Sequence, residues 1–167
     1  FAELPGDRAA TPYDVSKGLQ LHAGVRANAQ TQTLHIPAFD VNGKHWSTQY
    51  VQADGRKRFA KDSRKEGCFH VVGGFAELAK APALIIGEGY STMATARQAV
   101  GFATVAAFDS GNVPAVAAAL HQRFPEKPVV ILGDDDRHVM QQYGRNPGRA
   151  KAEEAAALSN GKAIFPI

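Results

Sequence analysis

Acidic side chains follow three separate apolar runs of this sequence. Glu88 comes directly after ALIIG, Asp109 directly after TVAAF, and three consecutive aspartates, 134–136, directly after PVVILG. Carboxylate oxygens are the ligands that Mg²⁺ and Mn²⁺ prefer, and these ions often share the phosphates of a substrate. Carboxylates that lie close together repel one another unless a cation neutralises them. We therefore expect a divalent-metal site for phosphate chemistry if the fold brings these acids together.

The spacing of the three aspartates indicates that two of them face the metal site. Alternate residues of an extended chain point to the same side, so Asp134 and Asp136 would face the site while Asp135 points away. Glycines on either side of Glu88 would let backbone and substrate approach closely. The metal-ligand candidates are Glu88, Asp109, Asp134 and Asp136, of which Glu88, Asp134 and Asp136 are also the catalytic candidates. A cap or turn role is the alternative, and it is strongest for Asp109, which precedes Ser110-Gly111-Asn112.

The second half of the chain has the rhythm of an α/β sheet. The three apolar runs alternate with helices predicted over about 91–100, 113–123 and 147–159, and KAIFPI closes the chain as a strand. Continuous apolar runs indicate strands that are covered on both faces, so we expect a parallel sheet with helices on both sides. Right-handed crossovers would place the carboxyl ends of these strands, and their acids, at one edge.

The first half reads as a small antiparallel lobe. Residues 1–30 form an irregular or partly helical lead-in, and from Leu34 short β-like runs alternate with the turns Asn42-Gly43 and Asp54-Gly55. This pattern predicts an antiparallel meander over about 34–72 that ends with CFHVV, and then a short helix over about 75–80. The fold class is therefore α/β, or α+β for the whole chain, with domains at 1–80 and 81–167.

Positive charge is concentrated in this lobe. Between residues 44 and 66 there are seven Lys or Arg against three acids, an excess of +4, whereas the whole chain carries +3. Such a stretch suits the phosphates of a nucleotide or a nucleic acid, although a solvated face has the same composition. Trp46, Tyr50 and Phe59 lie among these charges and either stack on bases or pack in the hairpin core. The candidate nucleotide- or DNA-binding residues are Arg56, Lys57, Arg58, Lys61, Arg64 and Lys65.

Composition limits the remaining possibilities. The chain has 167 residues, 44% of them hydrophobic and 21% charged, which is typical of a folded domain. Its single cysteine, Cys68, excludes an internal disulfide and fits a reducing cytoplasm, and it reads as a small core residue. No apolar run approaches the roughly 18 residues of a membrane span, so we expect no membrane partner. Because the chain opens with Phe1, we expect a segment of a longer polypeptide.

Longer motifs carry a family resemblance. An apolar strand ending in Glu-Gly, followed about 45 residues later by one ending in Asp-x-Asp, resembles the Toprim domain. The string EGYSTMATA at 88–96 is similar to the Glu-Gly-Tyr-Ala-Thr-Ala motif of primases from conjugative plasmids and satellite phages, and FDSGN, GDDD and NPG also resemble that group. Upstream, IPAFDVNGKHWSTQYVQADGRKRF and GCFHVVGG resemble the basic lobe that precedes Toprim in DnaG-type primases.

The resemblance implies a DNA primase core that makes short RNA primers from nucleoside triphosphates on single-stranded DNA. It implies Mg²⁺ or Mn²⁺ at Asp134 and Asp136, with Glu88 as ligand or general acid/base, and a phosphate contact for Arg137. Primases of this type also carry a zinc-binding domain, which this segment lacks, so template selection is expected to reside elsewhere. The alternatives are a non-catalytic Toprim scaffold that binds metal and single-stranded DNA, or a Toprim nuclease or topoisomerase. In a phospho-receiver domain the paired acids follow the first strand. The order of the acids along this chain is different, which argues against that class.

Overall fold

The computed structural model describes residues 8–134 and 146–166, which form two β-sheets with helices packed around the second. The helices are α1 (Pro12–Ser16), α2 (Phe75–Lys80), α3 (Tyr90–Val100), α4 (Val113–Arg123) and α5 (Pro147–Leu158). The strands are β1 (Arg26–Asn28), β2 (Thr33–Phe39), β3 (His45–Val51), β4 (Lys57–Phe59), β5 (His70–Val72), β6 (Leu84–Gly87), β7 (Thr104–Ala106), β8 (Val129–Leu132) and β9 (Lys162–Ile164). A 3₁₀ turn, Ser110–Asn112, precedes α4. The expected α/β class is confirmed.

The first sheet is antiparallel, with the order β1-β2-β3-β4. Its β2–β3 turn is built as the Asn-Gly pair predicts: Gly43 has φ +80°, and the Asp40 carboxylate accepts the backbone N–H groups of Asn42 and Lys44 at 2.9 and 3.0 Å. Strand β1 was not predicted, because three residues without an alternating pattern give no periodic signal.

The second sheet has the order β5-β7-β6-β8-β9. Strands β7, β6, β8 and β9 are parallel, as expected, and β5 is antiparallel to β7. The chain moves from β6 to one side for β7 and then to the other side for β8. Such a reversal opens a crevice at the carboxyl ends of the strands, which is where ligands bind in open α/β sheets.

The prediction that CFHVV ends the antiparallel meander is wrong. Strand β5 pairs with β7 in the second sheet, and the preceding residue, Phe69, forms an isolated bridge with Phe39 at the end of β2. All three residues of β5 are buried, which suits a strand covered on both faces better than a half-exposed hairpin.

Alternate residues of the second sheet face two different cores. Val105 and Ile131 pack in one cluster with α4 and α5, whereas Ala106 and Leu132 pack against the other cluster, which contains α3 and the apolar face of the first sheet. The second sheet is therefore covered by α4 and α5 on one face, and by α3 and the first sheet on the other.

Within the part of the chain that the structure describes, no helix is both long and apolar enough to cross a membrane.

Candidate active site at the carboxyl edge of the second sheet

A pocket lies where β6, β7 and β8 end. Glu88 from the β6 exit, Ser110 from the β7 exit and Asp134 from the β8 exit line it together with Gly148 and Lys151 of α5. The remaining lining residues are Val113, Ile131, Leu132, Gly133 and Ala152. The structure thus brings together two of the acids that the strand-end argument expected to meet.

The exit of β6 is fixed by backbone hydrogen bonds to the exit of β7. The carbonyl of Glu88 accepts the N–H of Phe108 at 2.7 Å, and the carbonyl of Gly87 accepts the N–H of Ala107 at 2.9 Å. A Cβ at Gly87 would lie 2.7 Å from the Met93 methyl carbon and 3.2 Å from the Leu132 carbonyl oxygen, so glycine leaves both neighbours in place. The position of Glu88 is therefore set by the sheet itself.

The exit of β8 is equally crowded. The Gly133 N–H donates to the Ile164 carbonyl at 2.9 Å, which continues the pairing with β9 up to the residue before Asp134. A Cβ at Gly133 would lie 2.7 Å from the Cβ of Ala152 and would overlap the ring of Phe165. Glycine here lets α5 and the C-terminal segment close directly around Asp134.

Lys151 and Ser110 are pocket residues that the sequence analysis missed. Lys151 lies in the second turn of α5, where its ammonium group pairs with Glu154 at 2.6 Å. One basic residue within a mixed-charge helix gives no periodic signal, and only the packing of α5 against the strand ends reveals its place. A cation beside two carboxylates suits a site that handles anionic substrate groups.

Asp109 caps the 3₁₀ turn, which is the alternative that its sequence context offered. Its carboxylate accepts the N–H of Asn112 at 3.0 Å and pairs with the Lys65 ammonium group at 2.5 Å. The neighbouring Ser110, rather than Asp109, lines the pocket. A metal role for Asp109 stays a prediction, and it would require the ion to compete with Lys65.

Two of the predicted site residues, Asp136 and Arg137, lie outside the described residues, as does Asp135, which we expected to point away from the site. Within 8–134 and 146–166, no group of three or more His, Cys, Asp or Glu side chains is placed to hold a metal. Glu88 and Asp134 nevertheless supply two hard carboxylates to one pocket, and Asp136 follows two residues later. This donor chemistry fits a divalent cation that is shared with a substrate phosphate.

The predicted basic residues of the first half are all solvent-exposed: Arg56, Lys57, Arg58, Lys61, Arg64 and Lys65. Arg56 pairs with Asp54 at 2.6 Å, and the Arg64 guanidinium lies 5.0 Å from the centre of the Trp46 ring. Lys65 reaches the second sheet through Asp109. The group therefore extends from the β3–β4 turn to the pocket side of the second sheet.

The three aromatic residues of this lobe have structural partners. The indole N–H of Trp46 donates to Asp40 at 2.8 Å, and the ring of Tyr50 meets that of His35 edge-on at 4.8 Å. Phe59 packs edge-on against Phe108 at 5.1 Å, which links the two sheets. These contacts favour packing over base stacking, most clearly for Phe59.

Comparison with known proteins defines the class of the second half. Residues 83–165 match the family model of the Toprim domain, so this region of the chain is similar to Toprim domains. The resemblance to Toprim primases of the conjugative-plasmid type is confirmed.

Two similar curated proteins are both named DNA primase TraC, from Escherichia coli. One is 66% identical over 157 residues, covering 94% of this chain and 15% of that protein. The other is 61% identical over 167 residues, covering 100% of this chain and 12% of that protein. The chain thus spans about an eighth to a seventh of the length of these relatives.

Solved structures support the fold. The primase fragment of the bacteriophage T7 primase-helicase protein is similar with a TM-score of 0.61 at 16% identity, covering 100% of this chain and 67% of that one. The primase domains in a T7 lagging-strand polymerase complex, bound there to an RNA/DNA hybrid and dTTP, give a TM-score of 0.60 at 15% identity and cover 83% of that chain.

Proposed function

We propose that this chain is the catalytic core of a DNA primase, which synthesises short RNA primers on single-stranded DNA by divalent-metal-dependent nucleotidyl transfer. The observation that carries the proposal is the pocket in which Glu88 and Asp134 meet at the carboxyl edge of a Toprim sheet, next to a lobe with exposed basic residues. The names of the relatives that are more than 60% identical support it.

The metal site of this proposal consists of Glu88, Asp134 and Asp136, with Asp109 as a further candidate. A bound Mg²⁺ or Mn²⁺ supplies neutralisation of the charge that develops during phosphoryl transfer. Glu88 then acts as a ligand or as the group that holds the proton of the attacking hydroxyl. Lys151, at the pocket wall, orients substrate phosphates.

The exposed basic residues of the first half bind phosphates in this proposal, together with Arg137, which directly follows the three aspartates. Lysine and arginine attract the triphosphate and the template backbone, and arginine adds a bidentate fork. The proposed binding residues are Arg56, Lys57, Arg58, Lys61, Arg64, Lys65 and Arg137.

The remaining parts of the proposal concern context. We assign a basic lobe and a Toprim domain that meet near residue 81, although the second sheet also recruits β5 from the residues before that boundary. The short coverage of the relatives favours further domains in a longer polypeptide. We propose that this polypeptide works in the cytoplasm.

The test is incorporation of labelled ribonucleotides on single-stranded DNA with Mg²⁺ or Mn²⁺. We expect Asp134→Asn, Asp136→Asn and Glu88→Gln each to reduce incorporation by at least about 100-fold, because each removes a charge from the metal site. The matched control is Glu126→Gln, an exposed acid in the turn after α4, which should retain wild-type incorporation. Incorporation that survives all three substitutions would overturn the assignment of the site.

The two alternative functions predict different results in the same assay. A scaffold would bind single-stranded DNA without incorporating nucleotides at any metal concentration. In a parallel reaction with an end-labelled DNA strand, a nuclease would shorten that strand in a manner that Asp134→Asn abolishes. Either result in the wild-type chain would replace the primase proposal.

A further inference from the structure

The side chain of Asn112 joins the basic lobe to the second sheet. Its Oδ1 accepts the N–H of Gly67 at 2.7 Å, and its Nδ2 donates to the carbonyls of Cys68 and Ala107, each at 2.8 Å. The residue is 5% exposed, so these bonds are protected from water. A carboxamide can accept a hydrogen bond from one backbone group and donate to two others at once.

Asn112 is connected to the pocket in two ways. It ends the 3₁₀ turn whose first residue, Ser110, lines the pocket with Glu88 and Asp134. It also holds the Ala107 carbonyl, and the next residue, Phe108, donates its N–H to the Glu88 carbonyl. A short chain of hydrogen bonds thus runs from the basic loop to the backbone of a pocket acid.

The loop that Asn112 holds carries Lys65. The Lys65 ammonium group pairs with Asp109, while 43% of its side chain stays exposed, and a lysine ammonium has two further protons to donate. Asp109 itself accepts the Asn112 N–H. The Asn112 carboxamide therefore fixes the backbone at Gly67 and Cys68, two and three residues after Lys65, while the backbone N–H of Asn112 holds the carboxylate that pairs with Lys65.

We propose that Asn112 is a positioning residue, which holds Lys65 where its ammonium group meets phosphate oxygens of a substrate bound at the carboxyl edge. The inference rests on the proposed function, because it assigns phosphates to this edge. It goes beyond that function by giving the Asn112 carboxamide, which touches no substrate, a measurable part in binding.

The first measurement tests the contact without any activity. In hydrogen–deuterium exchange, Asn112→Ala should speed exchange of the Gly67 amide about tenfold, the effect expected from losing one buried hydrogen bond. Amides of β6 should keep their wild-type rates. The matched control is Asn42→Ala, an exposed asparagine in the β2–β3 turn, which should leave the Gly67 amide unchanged. Unchanged Gly67 exchange in Asn112→Ala would overturn the proposal.

The second measurement tests positioning by a double-mutant cycle of Asn112→Ala and Lys65→Gln. Equilibrium binding is measured for ATP with Mn²⁺ and, separately, for a single-stranded oligodeoxynucleotide. Each single substitution should raise the Kd of one of these probes about threefold to fivefold, the size of one exposed charge pair, and the double variant should show no additional rise. The affected probe identifies whether Lys65 meets the triphosphate or the template.

Additive effects on both probes would overturn the proposal, because a merely structural Asn112 would act independently of Lys65. If Asn112→Ala does not fold, Asn112→Ser takes its place in the cycle. Failure of the proposed function is a separate result: wild-type protein that incorporates no ribonucleotide but shows the non-additive cycle retains the positioning role and loses the primase assignment.

Discussion

His70 is a fully buried histidine whose neutral form the fold selects. Its Nδ1–H donates to the Pro37 carbonyl at 3.1 Å, its ring lies edge-on to Tyr90, and burial lowers its pKa to about 4. His22, which acts on it electrostatically, also has a pKa lowered by burial. Between pH 4 and 6.5 the unfolded chain binds a proton at residue 70 that the folded chain does not, so stability falls as the pH falls through this window.

We expect His70→Asn to flatten this dependence, since asparagine keeps a donor for the Pro37 carbonyl and does not titrate. Urea midpoints measured from pH 7 to pH 4 should fall less steeply in the variant, with wild type losing up to about 1.4 kcal/mol more per pH unit from this group. Parallel pH profiles of the two proteins would contradict the assignment.

Gly133 shows how little space surrounds the pocket. Because a Cβ there would overlap the Phe165 ring and press on Ala152, Gly133→Ala should lower the free energy of unfolding by about 1–3 kcal/mol and displace Asp134. Gly89→Ala is the matched control, because its nearest Cβ contact is an ordinary 3.7 Å from Thr92. Thermal denaturation of the two variants distinguishes crowding from a general intolerance of alanine near the site.

At the scale of elements, the helix α1 is too short to be stable without contacts to the rest of the fold. Five residues are too few for an isolated helix, and Asp14 fixes it by pairing with Arg8 at 2.6 Å and accepting the N–H of Thr11 at 2.8 Å. Burial raises the pKa of Asp14, but the bonds from Arg8 and Thr11 outweigh it, so the pKa lies below its ordinary value.

Asp14→Asn should therefore free the lead-in from the rest of the fold. The substitution leaves the Arg8 guanidinium, whose side chain is 3% exposed, buried without its counter-charge, an arrangement that costs about 3–5 kcal/mol. Limited proteolysis should cut within residues 8–25 of the variant first. Asp54→Asn breaks the exposed Arg56 pair, whose side chains are 50–68% exposed, and should leave the cleavage pattern unchanged. Equal sensitivity of the two variants would contradict the argument.

The parts of this fold that could be predicted are those encoded by residues close together in the sequence. The helices α2 to α5 and the parallel strands β6 to β9 followed from apolar runs and from Gly and Pro positions, whereas the order of the strands within each sheet did not. The partner of β5 did not, because an apolar strand pairs equally well with either sheet and only packing decides. Phe108 has φ +74°, which nothing in its neighbourhood in the sequence indicates, since the hydrogen bond to Glu88 and the contact with Phe59 impose it.

The features of the candidate site also separate into those that local sequence predicts and those that depend on contacts between distant elements. Convergence of Glu88 and Asp134 followed from the rule that parallel strands share a carboxyl edge. The sequence allowed two roles for Asp109, a cap of the following turn or a metal ligand. In the structure its carboxylate is held by the ion pair with Lys65, a contact that the sequence did not show. Lys151 and the Asn112 carboxamide depend on contacts between elements that are distant in the sequence, so no local pattern could show them.

At the scale of the whole molecule, we expect the first sheet to bind nucleic acid and the second sheet to carry the reaction site. Exposed lysines lie on the first sheet and its loops, whereas the acidic pocket lies at the edge of the second. If the first sheet holds single-stranded DNA by its phosphates, binding must weaken with salt, because each neutralised phosphate releases counterions. The slope of log Kd against log salt then counts the contacts.

The double variant Lys57→Gln/Lys61→Gln should reduce the magnitude of that slope by about 1.4, because each single-strand phosphate contact contributes about 0.7. The matched control is Lys80→Gln/Lys162→Gln, which removes the same charge from exposed positions of α2 and β9. Anisotropy titrations between low and moderate salt measure both. If both pairs reduce the slope equally, net charge rather than the first sheet governs DNA binding, and the division of work between the two sheets is wrong.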